Sequence, residues 1–340
     1  MDKMQSDTTE GMKMKKMILA ATALAGFAAP AFAQDAVTLQ LKWVTQAQFA
    51  GYYVALENGY YEEENLDVTI LPGGPDVAPP QVLAGGGADV MVDWMPSALA
   101  VREGGLPVVN IAQPFASGGL MLACWKDTGI AGPEDFAGRT IGVWFGGNEY
   151  PLFSWMSKLG IATDGSEGGV TILRQGFNVD PLIQRQADCI SVMSYNEYWQ
   201  IIDAGVTPEE IVTFSYSDFD VDVLEDGLWV KEESLEDPAF VDRMARFVRA
   251  SMRGWKWAEE NPTEAAMIVL DNDETGAQTE AHQIRMMGEI AKLTAGSDGV
   301  LDEAAYEQTV ATLMSGGSDP VITAMPEGAW THAITDLALQ

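Results

Sequence analysis

Nine aromatic residues fall where strand-like runs give way to loops or to the first turns of helices: Trp43, Phe49, Tyr52, Trp94, Phe115, Trp144, Phe145, Tyr150 and Tyr195. Rings gathered at strand ends can stack on a flat heterocycle, each aromatic pair adding about 0.5–1.5 kcal/mol beyond the area it buries. The same rings also serve as core, so only some of them are expected to reach a ligand, Trp43 and Tyr195 first among them. Gln46 and Gln48, in the loop after the first strand, carry both donors and acceptors and suit a neutral polar ring. Glu197 sits in the first turn of a helix just after Met193-Ser194-Tyr195. A carboxylate there either accepts hydrogen bonds from a ligand or simply answers the positive end of the helix dipole. Asp93 has the same two readings, ligand acceptor or cap of the helix entering at Pro96. Gly146-Gly147-Asn148 precedes a helix and offers bare N–H groups to an anion, or Asn148 as an N-cap. Ser117 with Gly118 and Gly119 offers a hydroxyl and backbone donors, or only flexible chain. No Arg or Lys is expected in these strand-end loops, which argues against a strongly anionic ligand.

The elements that must position these groups alternate. Val37–Trp43 reads as a strand, Ala47–Tyr61 as a helix with apolar residues at helical spacing, and Asp67–Leu71 as a second strand, a right-handed βαβ unit. Ligands of open α/β sheets sit at the carboxyl ends of the strands, which is where Trp43, Gln46, Gln48 and Phe49 fall. The alternation continues through strands at Ala88–Asp93 and Pro107–Gln113 and predicts a largely parallel sheet. A second series follows from Leu120: strands at Leu120–Trp125, Thr140–Trp144, Val170–Leu173, Asp188–Met193 and Ile211–Phe214, with helices at Glu149–Leu159, Asp180–Gln186 and Asn196–Ala204 between them. From Pro238 onward the pattern is helical, without a sheet of its own.

The 340 residues, 47% hydrophobic and 20% charged, suit two ordinary cores. Lys13, Lys15 and Lys16, the apolar run Met17–Ala29 and the small-residue site Ala31-Phe32-Ala33 make an export signal over residues 1–33, with Met12 or Met14 as an alternative start. The formal charge of −31 repels nucleic acid and anionic membrane. Cys124 and Cys189 lie in apolar strand-like runs and are expected as two buried thiols, with a bridge as the alternative. Two histidines and two cysteines far apart in sequence give no metal site, and no cofactor is expected. Asp218, Asp220 and Asp222 lack the glycine and closing Glu of a calcium hand and read as solvated surface.

The run LKWVTQAQFAGYYVALENGYY (Leu41–Tyr61), the segment Pro133-Glu-Asp-Phe through Thr140-Ile-Gly142, Ser194-Tyr195-Asn196-Glu197-Tyr198 and the helix FVRASMRGWKWAEENP (Phe247–Pro262) resemble the family of periplasmic binding proteins and synthases for the pyrimidine precursor of thiamine. The resemblance implies a type II periplasmic binding protein: two α/β lobes joined by a two-crossing hinge, with a helical C-terminal part. Residues 34–119 would form the first part of lobe 1, 120–225 lobe 2, and 226–340 the return to lobe 1 with the C-terminal helices. It implies a monomer in the periplasm that delivers a heteroaromatic ligand to the permease subunits of an ABC importer, with ligand residues among Trp43, Gln46, Phe49, Tyr52, Asp93, Trp94, Phe115, Ser117, Trp144, Asn148, Tyr195 and Glu197. Glu197 would accept from an aminopyrimidine edge. Riboflavin, nucleobase or sulfonate binding, and service to a sensor kinase, are alternatives on the same fold. A synthase is disfavoured, because His282 and His332 lie outside the matched motifs and no Lys is expected in the pocket loops.

Overall fold

The computed structural model describes residues 34–315 and 320–340; the expected export segment, residues 1–33, lies outside the described residues. The first segment runs β1 (Asp35–Gln40), a 3-10 turn (Ala47–Phe49), α1 (Ala50–Glu57), α2 (Tyr60–Glu63), β2 (Leu66–Leu71), α3 (Pro79–Ala84), β3 (Val90–Trp94), α4 (Met95–Glu103) and β4 (Val108–Ala112). The middle segment contributes β5 (Leu120–Trp125), β6 (Thr140–Val143), α5 (Glu149–Leu159), β7 (Thr171–Arg174), α6 (Asp180–Ile183), β8 (Cys189–Met193), α7 (Glu197–Asp203) and β9 (Ile211–Ser215). The chain then returns through β10 (Asp226–Lys231) and closes with α8 (Pro238–Glu260), α9 (Pro262–Asp271), α10 (Glu280–Thr294), α11 (Glu303–Met314) and α12 (Ala333–Ala338).

Two five-stranded sheets result, in the orders β2-β1-β3-β10-β4 and β7-β6-β8-β5-β9. The opening βαβ unit is parallel, with Asp35 to Gln40 pairing Leu66 to Leu71 in register. The expectation of a largely parallel sheet is corrected by β10, which lies antiparallel between β3 and β4, and by β5, antiparallel between β8 and β9. Each is the strand that follows a crossing from the other sheet, so it enters from the opposite end. Strands β3, β4 and β8 are buried along their whole length, as strands covered by helices on both faces must be.

The helix expected over Ala47–Tyr61 is broken into a 3-10 turn, α1 and α2, with Gly59 in the left-handed conformation between the two helices. Helix α1 lies against α8, and Gly51 and Gly254 meet at their crossing, where neither backbone leaves room for a Cβ. This close approach turns one face of α1 wholly into the core. It also decides which of the early aromatic residues are lost to the cleft.

The two cysteines correct the expectation of separate thiols. Cys124 and Cys189 face each other across the antiparallel β5–β8 pair, their Cα atoms 4.0 Å apart, and are joined in a disulfide. Burial was read rightly, but the register that opposes residues 65 positions apart is a tertiary fact. Among the described residues no helix is long and apolar enough to cross a membrane.

Candidate functional site

The carboxyl end of β1 and the carboxyl ends of the second sheet's parallel strands face one another across a cleft. Its inner chamber, about 70 Å³, takes Lys42, Trp43, Gln46 and Gln48 from the loop after β1. Trp144, Asn148 and Phe177 come from the loops after β6 and β7, and Met193, Tyr195, Asn196 and Glu197 from the β8–α7 junction. An outer chamber of about 360 Å³ shares Lys42, Trp43, Asn148 and Phe177 with it and adds the Gly74–Gln81 loop, Asp93, Trp94 and Phe145. Trp43 of the first lobe meets Phe177 of the second with ring centroids 4.5 Å apart, so one aromatic pair spans the gap.

Trp43, Gln46, Trp144, Asn148, Tyr195 and Glu197 therefore line the inner chamber, while Asp93 and Trp94 line the outer one. The remaining expected residues are elsewhere. Phe49 is fully buried in the core, and Tyr52 and Phe115 both pack edge-on against Trp255 of α8. Phe49 lies on the 3-10 turn, Tyr52 on α1 and Phe115 in the loop after β4, and all three side chains are buried in the core. Ser117 is exposed in the segment that crosses between the lobes and lines neither chamber. The glycine pair before α5 does not offer free donors at both positions, because the Gly147 N–H donates to the buried Glu149 carboxylate at 2.7 Å.

Glu197 is buried and held from within its own turn. Its Oε2 accepts the Met193 N–H at 3.0 Å and its Oε1 accepts Asn196 Nδ2 at 2.8 Å. A carboxylate oxygen has two lone pairs, so both oxygens keep capacity for a donor in the cleft. Burial pushes its pKa up to about 7 against those hydrogen bonds. Asn196 is itself tied to the other lobe, with its Oδ1 2.8 Å from His282 Nε2 of α10. His282, outside the matched motifs in sequence, thus touches a residue that lines the pocket. Asp93 accepts the Trp94 N–H at 2.9 Å and the Ser97 hydroxyl at 3.1 Å without capping α4, whose N-cap is Trp94 and carries no side-chain cap bond, and burial lifts its pKa to about 6.

Three charged residues at the site were not among those expected. Lys42 corrects the statement that no cation sits in the strand-end loops. Strand β1 stops at Gln40, not at Trp43, and frees Lys42 to turn into the cleft. Its Nζ pairs with Asp226 Oδ1 at 3.2 Å and lies 4.9 Å from the centre of the Trp94 ring. Burial works to lower its pKa, but Asp226, with Glu225 and Asp93 nearby, outweighs this and leaves it raised. Glu225 and Asp226 open β10 at the second crossing and are almost completely buried. Asp226 Oδ2 accepts Gln48 Nε2 at 2.7 Å; Glu225 accepts the Gly119 N–H at 2.7 Å and the Tyr195 hydroxyl at 2.5 Å. Burial first, and then the adjacent Asp226 charge, raise the Glu225 pKa.

These shifts fix the sign of a pH dependence. Asp93, Glu197 and Glu225 all bind a proton more readily folded than unfolded. Their contribution is complete below the ordinary values of 3.8 and 4.5, and is lost as pH rises through about 6 to 7. The urea midpoint is expected to fall from about pH 5 to about pH 8. A midpoint rising over that interval would mean that the three acids are held ionised.

A formylaminopyrimidine-binding protein of Halalkalibacterium halodurans is 25% identical to this chain over 288 residues, covering 83% of it and 85% of that protein. A 4-amino-5-hydroxymethyl-2-methylpyrimidine phosphate synthase of Schizosaccharomyces pombe is 29% identical over 153 residues, 43% of this chain and 41% of that protein. The solved periplasmic sulfonate-binding protein SsuA from Methylobacillus flagellatus superposes with a TM-score of 0.65 at 14% identity, over 90% of this chain and 94% of that one. The fold is that of type II periplasmic binding proteins, as the early resemblance implies. The family described as NMT1/THI5 like matches residues 46–265, more than half of the sequence, and this protein belongs to it.

Proposed function

We propose that this protein is the periplasmic solute-binding component of an ABC importer, and that it captures a small, nearly uncharged heteroaromatic solute of the thiamine-pyrimidine-precursor type. The observation that carries the reading is the facing set of rings and polar groups in one cleft, Trp43 with Gln46 from one lobe and Trp144, Tyr195 and Glu197 from the other. Ring faces supply stacking area, and Glu197 supplies acceptors for an amino-bearing edge. The likeness to a formylaminopyrimidine-binding protein over most of both chains supports the ligand class. The export-type N-terminus supports delivery to the periplasm.

The similarity to a pyrimidine synthase makes catalysis the competing reading. Against it, Asp226 holds the cleft lysine as an ammonium, which has no lone pair for attack on a carbonyl. A strongly anionic solute is also disfavoured: the Lys42 charge is already answered by Asp226, with Glu225 and Asp93 nearby.

Titration calorimetry with hydroxymethylpyrimidine, formylaminopyrimidine, riboflavin, nucleobases and taurine tests the reading. Binding of a pyrimidine, and none of taurine, is the expected result. Absence of binding by every heteroaromatic compound overturns it.

A further inference from the structure

We propose that Lys42 is a specificity-determining residue, and that the ligand carries a neutral hydrogen-bond acceptor, a carbonyl oxygen, on a substituent reaching from the inner to the outer chamber. This rests on reading the cleft as a heteroaromatic site, and it adds the pattern of donors and acceptors that the solute must present.

The pattern follows from the direction of one hydrogen-bond relay. The carboxylate of Asp226, paired with the Lys42 ammonium, only accepts, so Gln48 must turn its Nε2 toward it, at 2.7 Å. That leaves Gln48 Oε1 as acceptor for Gln46 Nε2, at 2.6 Å. The carbonyl oxygen of Gln46, a buried residue lining the inner chamber, is then left with no protein donor among the described residues. Gln46 and Glu197 both present acceptors to the inner chamber, and the ligand must answer with N–H donors there.

Lys42 presents the opposite polarity. An ammonium has three N–H donors. Its Nζ forms an ion pair with Asp226 Oδ1 at 3.2 Å, the ring of Trp94 lies beside the group, and no hydrogen-bond acceptor is bonded to it among the described residues. Lys42 lines both chambers, which places the free donor at the mouth of the inner one. A ring seated among Trp43, Trp144 and Tyr195 meets Lys42 through a group that leaves the ring toward the outer chamber. Because Asp226 already balances the charge and two further carboxyls, Glu225 and Asp93, stand near, a full anion gains little, and a carbonyl is the fitting partner. A site built to hydrogen-bond such a group rejects the analogue that lacks it, because the buried donor is then left unpaired.

Calorimetry on the full protein compares formylaminopyrimidine with an analogue in which the formamide is replaced by an alkyl chain of equal length. Wild type should bind the formamide at least about tenfold more tightly. In Lys42→Met that ratio should fall to near one, with the alkyl analogue bound about as before. The Lys42→Met/Asp226→Asn variant repeats the measurement with the carboxylate neutralised, in case the single variant does not fold. Equal affinities in wild type, or an unchanged ratio in the variants, overturn the proposal while leaving the heteroaromatic reading intact. An equal loss for both compounds in the variants makes Lys42 structural and also overturns it. If wild type binds no heteroaromatic compound, both readings fall together.

Discussion

An Asp226→Ala chain should lose about 3 kcal/mol of unfolding free energy, the lower end of what breaking a buried ion pair costs. Asp226 is almost completely buried, and its removal strands the Lys42 ammonium and takes the acceptor from Gln48 Nε2. Glu225 and Asp93 stay near Lys42 and soften the loss, which is why the lower end applies. The Lys42→Met/Asp226→Asn pair should recover most of it, since no charge is then left unmatched. Urea unfolding of wild type, Lys42→Met, Asp226→Asn and the pair forms a double-mutant cycle. A loss below about 1 kcal/mol for the single variant would place the pair among ordinary solvent-screened salt bridges.

For the ligand, the largest effect is expected at Trp43. Trp43→Ala should weaken capture of a bound pyrimidine by about thirtyfold, some 2 kcal/mol, the loss typical of an aromatic anchor. Part of it is stacking area, and part is the contact with Phe177 that draws the two lobes together. Phe177 is 52% exposed, so Phe177→Ala should weaken binding less. Phe49→Leu, a change in the core, should lower stability and leave affinity unaltered. A Phe49 effect on affinity as large as that of Trp43 would contradict the placement of these two rings.

Much of the chain was legible because local chemistry reports local geometry. Helix α5 begins and ends where the sequence places it, at Glu149 and Leu159, with Gly160 in the left-handed conformation as its stop. The residues at the β6 and β8 ends, Trp144, Asn148, Tyr195 and Glu197, are legible for the same reason: a strand that runs into a helix leaves its junction at the sheet's edge. Strand β10 was not legible. No strand is expected between Phe214 and Pro238, yet Asp226–Lys231 lies between β3 and β4 inside the first sheet. Its strand character comes from β3 and β4, more than a hundred residues earlier, and β-structure depends on such context more than helices do.

Most of the order of strands and helices, β10 excepted, together with the family and the fold class, follows from the amino-acid sequence alone, because hydrophobic period and turn residues act over a few neighbouring positions. Tertiary structure alone decided that Phe49, Tyr52 and Phe115 pack inward while Trp43 does not, that Cys124 meets Cys189, and that the half-buried Lys42 pairs with the buried Asp226. Periodicity shows which residues share a face but not what that face will meet, and a buried charge finds its partner only when distant segments are brought together.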